Sequence, residues 1–329
     1  MSPDALRAER RQRCVDQMER AGIDVLLLGR EGNIRYVTGA HRLWLAGMRG
    51  WAPSCVVVRR TAAVHLLSIT DCGLPPEIPA DRLYPITWNP MNLLGAVATI
   101  EGVADATTIG VDGSTPLMRD LVAGVLPNAR LVDGDGILRA ARRTKTGAEL
   151  DALRAATRAA SEAVSVGFER LLDGAEPALV EGAVRRRAAE LGSTAVSAPI
   201  DVTPWSVAAT TLLDGYEGAA GRVTGPPAER VDALRSALTA ACGPGERLSS
   251  LLDAYGACGE QVPPGIVARG TGVGAEEPVL RASGVRGDEV LEPGMALVVR
   301  AAVAHDDVWP GTVEQVLITG DGREVLTTG

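Results

Sequence analysis

Residues 269–280 of the chain read RGTGVGAEEPVL, residues 291–303 read LEPGMALVVRAAV, and residues 311–327 read GTVEQVLITGDGREVLT. The GTGVG segment has the glycines of a phosphate loop, but it lacks the lysine and the following helix of a P-loop. We therefore interpret it as a glycine-flanked strand. We also predict that the strand after the turn at Gly311 runs beside the strand that ends at Arg300.

The composition is typical of a globular protein with more than one domain. The chain has 329 residues, of which 46% are hydrophobic and 22% charged, enough for two domains with their own cores. Its net charge of −8 argues against a general nucleic-acid binder. No apolar run reaches the roughly 18–20 residues of a membrane helix, and the charged start MSPDALRAERRQRC lacks a signal-peptide core. We expect a cytoplasmic protein that binds neither nucleic acid nor membrane.

Cysteine and lysine usage argues against several kinds of functional or structural site. The five cysteines are scattered without a C-x-x-C pair, so neither structural zinc nor a disulfide framework is expected. Lys145 is the only lysine and lies at the predicted domain junction, which argues against a lysine Schiff-base mechanism.

The first part of the chain alternates helical and strand patterns. Apolar and charged residues over 5–21 have helical spacing, and Gly22 ends the helix. The predicted strands and helix that follow are 24–29, a hairpin of 54–59 and 62–68, strand 105–112, helix 116–126 and strand 129–133. This alternation predicts an α/β domain.

The second part begins with helical patterns and continues with strands. Thr146 or Thr144 is placed to cap a long helix through residues 168–172. Further helices are predicted over 174–192, 229–241 and 248–259.

The quoted stretches resemble the catalytic domain of the creatinase, aminopeptidase P and methionine aminopeptidase superfamily, which has the pita-bread fold. In its active metallopeptidases they read roughly G-H-G-I-G, L-x-P-G-M-x-x-x-x-E-P and E-D-x-V-L-V-T-x-x-G. The junction RRTKTGAEL at 142–150 and the earlier phrases DVLLLG and IRYVTG are also similar to that family. The resemblance implies an α/β (α+β) protein with a creatinase-like N-terminal domain at residues 1–143, a pita-bread domain at 144–329, and a homodimer.

The resemblance also implies where metal ligands would stand. The family holds two cations with two Asp, one His and two Glu, because carboxylates neutralise closely spaced cations. Its Asp hairpin contains a G-Y-x-x-D phrase, which GYEGAAGRVT at 215–224 matches. In this register the second Asp position is Ala219 and the first is Ala208.

The remaining ligand positions also differ from the family pattern. The metal-binding His position is Thr271, and the Glu position after the Pro-Gly-Met turn is Arg300. The last position is Glu314 if a one-residue gap is allowed and Val313 if it is not. Because arginine is a permanent cation that cannot ligate a metal, we predict a chain without a catalytic metal and without a cofactor.

A metal-free mechanism of the creatinase type does not transfer either. That branch of the superfamily uses His and Glu on a small C–N substrate. The chain has three histidines, at 41, 65 and 305, and none stands at a motif position.

The candidate site consists of charged and aromatic residues around the lost ligand positions. Arg300 is expected to pair with Glu314, or with Glu277, either as a structural ion pair or as part of a ligand site. In an enzyme, Glu314 or Glu277 would be the base and Arg300 or Arg222 would bind an anion. The candidate ligand-binding residues are Arg300, Arg222, Thr271, Tyr216 and Trp205, and Asp201 and Thr203 lie in a segment expected to line the cleft.

Two functions remain compatible with these residues. The first is a non-peptidase pseudoenzyme that binds a small molecule or a peptide. The second is a metal-independent enzyme, of hydrolase or lyase type, that acts on a small molecule in specialised metabolism. An active Xaa-Pro metallopeptidase is a distant third. A filled or open cleft favours the first function, and a small enclosed polar cleft favours the second.

Overall fold

A computed structural model describes residues 3–40, 54–68, 74–85, 87, 89–193, 195–196, 200–283 and 289–327. The chain divides into two compact units, Met1–Arg142 and Arg143–Gly329. This division lies one residue before the boundary predicted from the sequence.

The first unit contains a six-stranded mixed sheet. Its helices are α1 (Pro3–Ala21), α2 (Glu31–Thr38), α3 (Pro90–Ala98), α4 (Pro116–Val125) and α5 (Asp135–Arg143). Its strands are β1 (Val25–Leu28), β2 (Cys55–Val58), β3 (Ala63–Leu67), β4 (Leu83–Tyr84), β5 (Thr108–Val111) and β6 (Arg130–Asp133). The strand order is β4-β3-β2-β1-β5-β6, with β1 antiparallel to β2 and parallel to β5. The predicted α/β alternation and the predicted hairpin are confirmed.

One hydrophobic core of this unit lies between the sheet and helices α3 and α4. Every residue of β1 is buried, because the strand is central in the sheet. Leu27 of β1 packs in one cluster with Leu93 and Val97 of α3 and with Val122 of α4. Burial of such side chains stabilises the unit by roughly 1.5–3 kcal/mol each.

Asp24 connects the start of β1 to two neighbouring segments. Its carboxylate accepts hydrogen bonds from the Arg59 guanidinium at 2.6 Å and from the Thr107 hydroxyl at 2.8 Å. The backbone N–H groups of Thr107 and Thr108 donate to it at 2.9 and 3.1 Å. Burial acts to raise the pKa of Asp24, but the bonds from Arg59 and Thr107 outweigh it and lower that pKa to about 2.

We expect Asp24→Asn to destabilise the protein by about 1–2 kcal/mol at pH 7, allowing for the partial exposure of the group. A carboxylate with a depressed folded-state pKa stabilises above its unfolded pKa, and this contribution is lost as the pH falls toward the folded value. Urea unfolding at pH 7 and near pH 2.5 should therefore show the difference from wild type shrinking in acid. The exposed Asp105 provides the control variant, Asp105→Asn. An Asp24→Asn difference that is equal at both pH values would contradict this account.

The second unit contains two sheets and four described helices. The helices are α6 (Gly147–Leu172), α7 (Pro177–Glu190), α8 (Ala228–Ala240) and α9 (Ser250–Ala257). The strands are β7 (Ala195–Val196), β8 (Asp201–Thr203), β9 (Ser206–Leu213), β10 (Tyr216–Val223), β11 (Ile266–Gly272), β12 (Gly274–Arg281), β13 (Ala296–Ala302), β14 (Gly311–Ile318) and β15 (Arg323–Val325). GTGVG is thus the end of one strand, a turn and the start of the next. The sequence predicted a single glycine-flanked strand, which is wrong beyond Gly272, because Gly272 and Gly274 form the two sides of a tight hairpin.

Helix α6 is capped by Thr146, one of the two caps that the sequence offered. The Thr146 hydroxyl accepts from the Glu149 N–H at 3.3 Å, and the Glu149 carboxylate accepts from the Thr146 N–H at 3.1 Å. This reciprocal capping box satisfies two N–H groups that the helix itself leaves unpaired.

Each sheet is covered by helices on one face. In the first, β9 pairs with β10, β7 and β8, and its residues Val207 and Ala209 pack with α6 and α7. The second has the order β12-β11-β13-β14-β15 and is antiparallel throughout. Its residues Val299 and Val316 pack with α8 and α9. The layers match the predicted pita-bread domain.

Gln315 of β14 joins the two sheets. Its amide donates to the backbone oxygen of Glu217 at 2.9 Å and accepts from the Ala219 N–H at 3.0 Å and the Thr157 hydroxyl at 2.7 Å. Gln315 is fully buried. β10 is an edge strand, so a neighbouring strand does not pair its outer backbone groups. The Gln315 side-chain amide pairs them instead, which buried polar groups require.

In the ranges described above, no helix combines the length and the apolar character needed to cross a membrane.

Candidate functional site

Strand alternation separates the two faces of each sheet in the second unit. Val299 of β13 belongs to the core formed with α8 and α9, so its neighbour Arg300 lies on the opposite face. Ala220 of β10 belongs to the core formed with α6 and α7, so Ala219 likewise lies on the opposite face. We call these helix-free faces the inner face.

The positions to which the resemblance assigns metal ligands share this inner face. Ala208 is paired with Gly221, two residues beyond Ala219 on the same side of β10. Val313 is paired with Arg300, whereas Glu314 is paired with Val299. Of the two alternatives for the last ligand, Val313 is therefore on the inner face and Glu314 is on the helix side. The inner-face set is Ala208, Ala219, Thr271, Arg300 and Val313.

This set does not fit a pair of divalent cations. It contains no carboxylate, imidazole or thiolate, and such ligands are what closely spaced cations need. Within the described part of the chain, no group of three or more His, Cys, Asp or Glu side chains is placed to hold a metal ion.

A buried ion pair lies against Thr271 instead. The Arg269 Nη2 atom donates to Glu217 Oε1 at 2.8 Å, Nη1 donates to Oε2, and the Thr271 hydroxyl donates to Oε2 at 3.0 Å. The Glu217 side chain is 1% exposed and that of Arg269 is 13% exposed. The pair is bidentate, the strongest geometry for a guanidinium and a carboxylate. It links β10 of one sheet to β11 of the other.

Sequence reasoning missed this pair, although a signal for it was present. Arg269 stands two residues before Thr271, and Glu217 stands two residues before Ala219. Because side chains alternate between the faces of a strand, residues two apart share a face. Each charged residue therefore lies on the same face as the ligand position two residues after it. What the sequence pattern does not contain is the contact between the two charges, which are 52 residues apart.

We expect Glu217→Gln and Arg269→Met each to destabilise the protein by about 3–5 kcal/mol, because each leaves one buried charge without its partner. The double variant Glu217→Gln/Arg269→Met should lose much less than the sum of the two single changes. Chemical unfolding of the four proteins measures this coupling.

Arg300→Met is the matched control for that cycle. It removes another inner-face arginine whose partner is half exposed, and we expect a loss of less than about 1 kcal/mol. Equal losses for Arg269→Met and Arg300→Met, or additive losses in the cycle, would contradict the role assigned to the buried pair.

Arg300 pairs with Asp201 rather than with Glu314. Its Nη2 atom lies 3.1 Å from Asp201 Oδ2, and the two side chains are 25% and 50% exposed. The predicted pairing with Glu314 is wrong, because the β13–β14 register directs these two side chains to opposite faces. Glu277, the second candidate partner, is exposed on β12. Asp201 belongs to β8, in the segment expected to line the cleft.

The predicted aromatic ligand-binding residues have packing contacts. Tyr216 is buried, and its hydroxyl donates to Glu149 Oε1 at 3.3 Å. The partly buried Trp205 meets His305 edge to face, with ring centroids 5.9 Å apart. Of the other histidines, His65 lies in β3 of the first unit, and His41 is outside the described residues.

The structure brings Arg222 and Glu314 into one pocket. The pocket has a volume of about 170 Å³ and lies between α6, α8, β10 and β14. Its lining consists of two arginines, two carboxylates and several smaller or apolar residues. The lining residues are Phe168, Gly221, Arg222, Val223, Asp232, Arg235, Thr312, Glu314 and Thr327.

Residues 10–144 match the creatinase/prolidase N-terminal domain family. The chain carries this domain and has the prolidase fold. The prolidase of Pyrococcus horikoshii is 15% identical, with a TM-score of 0.74 and with 97% of this chain and 98% of that chain covered. The Xaa-Pro dipeptidase of Bacillus anthracis is 18% identical, with a TM-score of 0.73 and 98% of both chains covered.

The dipeptidase PepE of Mycobacterium ulcerans is 20% identical, with a TM-score of 0.72 and with 100% of this chain and 97% of that chain covered. No curated protein matches the chain in sequence. At these identities the structural similarity establishes the fold alone.

Glu314 differs from an ordinary surface carboxyl in this pocket. Its side chain is 8% exposed, and its Oε1 atom is 3.9 Å from Arg235 Nη1. Burial raises the pKa of Glu314, and the hydrogen bond from Thr327 and the charge of Arg235 offset this only in part.

A carboxyl with a raised folded-state pKa makes the folded protein bind more protons than the unfolded chain. Its contribution to stability is therefore present below the ordinary pKa and is lost as the pH rises through the raised value. We expect Glu314→Gln to remove this loss, so that the variant gains stability relative to wild type between about pH 4 and pH 7. Thermal unfolding across that range measures the difference, and a constant difference would contradict the raised pKa.

Proposed function

We propose that this protein is a prolidase-fold pseudoenzyme that lacks the di-metal peptidase chemistry and acts by binding a small molecule or a peptide. The observation that carries the proposal is the inner-face set of Ala208, Ala219, Thr271, Arg300 and Val313. Not one of these side chains can donate an electron pair from a carboxylate or an imidazole to a cation.

The Glu217–Arg269 pair supports the same conclusion. Arg269 supplies the positive charge that the buried Glu217 carboxylate requires, so a divalent cation would have to displace a bidentate guanidinium to use this carboxylate. Arg300 adds a second fixed positive charge to the inner face. Both guanidiniums therefore oppose cation binding electrostatically.

A second candidate function has one observation in its favour. Arg222 and Glu314 line one small polar pocket, which would let Glu314 act as a base beside a bound anion. A metal-independent reaction on a small molecule is therefore the alternative. The enzyme hypothesis requires that the protein convert a small molecule to product, whereas the binding hypothesis does not.

The test is metal content together with peptidase activity. The protein is incubated with excess Mn²⁺, Co²⁺ or Zn²⁺, dialysed and analysed for metal, and then assayed on Xaa-Pro dipeptides and on peptides with an N-terminal Met. We expect well under one ion per chain and no cleavage, because the ligand set is missing. The Pyrococcus horikoshii prolidase, treated in parallel, is the positive control.

Near-stoichiometric metal that a chelator removes, together with cleavage, would overturn the proposal. The expected absence of a cofactor, the cytoplasmic location and the homodimer implied by the resemblance stay predictions. Light scattering on the same samples addresses the homodimer.

A further inference from the structure

We propose that the pocket between α6, α8, β10 and β14 binds a small zwitterion, a free α-amino acid with a small apolar side chain. This inference rests on the proposed binding function and names both its site and its ligand class. The pocket is lined by none of the inner-face set of Ala208, Ala219, Thr271, Arg300 and Val313, so it is distinct from the site to which the resemblance assigns the metal.

The size of the pocket limits the ligand. Its volume of about 170 Å³ is well below the roughly 300–1,000 Å³ of sites for drug-sized molecules. Glu314 forms its floor, with a side chain that is 8% exposed. Asp232 and Arg235 stand at its rim, with side chains that are 59% and 39% exposed. A molecule of few atoms can reach the floor while its ends contact the rim.

The charges of the lining select a molecule with both signs. Arg222 of β10 and Arg235 of α8 would attract a carboxylate, and Glu314 and Asp232 would attract an ammonium group. A simple anion would meet two carboxylates in the same small space, and a simple cation would meet two guanidiniums. In a zwitterion, the carboxylate can contact the two guanidiniums and the ammonium group can contact the two carboxylates, so like charges do not have to meet.

Arg235 retains unused hydrogen-bonding capacity for such a ligand. Its Nε atom is buried and has no hydrogen-bond partner in the described structure. Its Nη1 atom is 3.9 Å from Glu314 Oε1, beyond hydrogen-bond length, and its Nη2 atom is 3.3 Å from Asp232 Oδ1. Buried donors of this kind are normally satisfied. Because the Nε atom is itself inaccessible to solvent, a ligand carboxylate would accept from the Nη atoms at the partly exposed end of the Arg235 side chain.

The remaining lining residues set the side-chain preference. Phe168 and Val223 are partly buried apolar residues at the margins of the helix-packed cores and give the pocket an apolar wall. Gly221 adds no side chain, and Thr312 is already engaged, because its hydroxyl donates to the Gly221 oxygen at 2.9 Å. This wall favours alanine or valine over charged amino acids.

The test is calorimetric titration of the full chain with alanine and valine, each compared with its N-acetyl derivative and its amide. The derivatives keep the side chain and remove one charge each. We expect the free amino acids to bind and both derivatives to bind at least about tenfold more weakly, since each loses one charged contact. Arg222→Met and Glu314→Gln should each weaken binding of the free amino acid by at least about tenfold.

Arg119→Met is the matched control, because Arg119 is an exposed arginine of α4 in the other unit. The affinity of this variant for the free amino acids should equal that of wild type. Absence of binding up to about 10 mM, equal binding of amino acids and their derivatives, or unchanged affinity in a folded Glu314→Gln variant would overturn the inference. If a variant does not fold, the comparison of each amino acid with its two derivatives is sufficient to test the inference. A metal-free, peptidase-inactive protein that binds none of these compounds would refute the zwitterion site and leave the loss of peptidase chemistry standing.

Discussion

The ion pair between Glu217 and Arg269 constrains how the two sheets of the second unit meet. Both groups are almost fully removed from water, and burying either charge alone would cost several kcal/mol. The bidentate geometry and the hydroxyl of Thr271 satisfy the carboxylate, so the arrangement is tolerated only when both strands are in place. The inner face is therefore organised around an internal counter-charge, contributed by the protein itself.

The same unit uses its two faces differently. On the inner face the polar groups are satisfied by one another, through the Glu217–Arg269 pair and through the Gln315 amide that bridges β14 to β10. In the pocket around Glu314, by contrast, Arg235 Nε has no hydrogen-bond partner in the described structure, and Arg235 Nη1 is 3.9 Å from Glu314 Oε1. Unsatisfied polar capacity is a better indicator of ligand binding than satisfied capacity, because a ligand can add contacts only where the protein has left them open.

Much of the fold was predictable because its signals are local. The Thr146 capping box, the buried strand at 24–29 and the hairpin after residue 54 each depend on neighbouring residues in the chain. The assignment of Arg300 and Thr271 to the ligand positions of the family pattern depended on motifs of about ten residues. Such motifs predict which residue types occupy a strand, and alternation then predicts which residues share a face.

The contacts across the sheets were not predictable in this way. Residue chemistry alone determined that Ala208, Ala219 and Arg300 cannot act as metal ligands, since an alanine side chain has no donor atom and a guanidinium is a permanent cation without a free lone pair. The tertiary structure alone decided that Arg269 rather than Arg300 carries the buried pair, that Val313 and not Glu314 shares the inner face, and that Glu314 meets Arg222 in a pocket. The physical reason is that a charge finds its partner through strand register and sheet crossing, which bring together residues far apart in the chain.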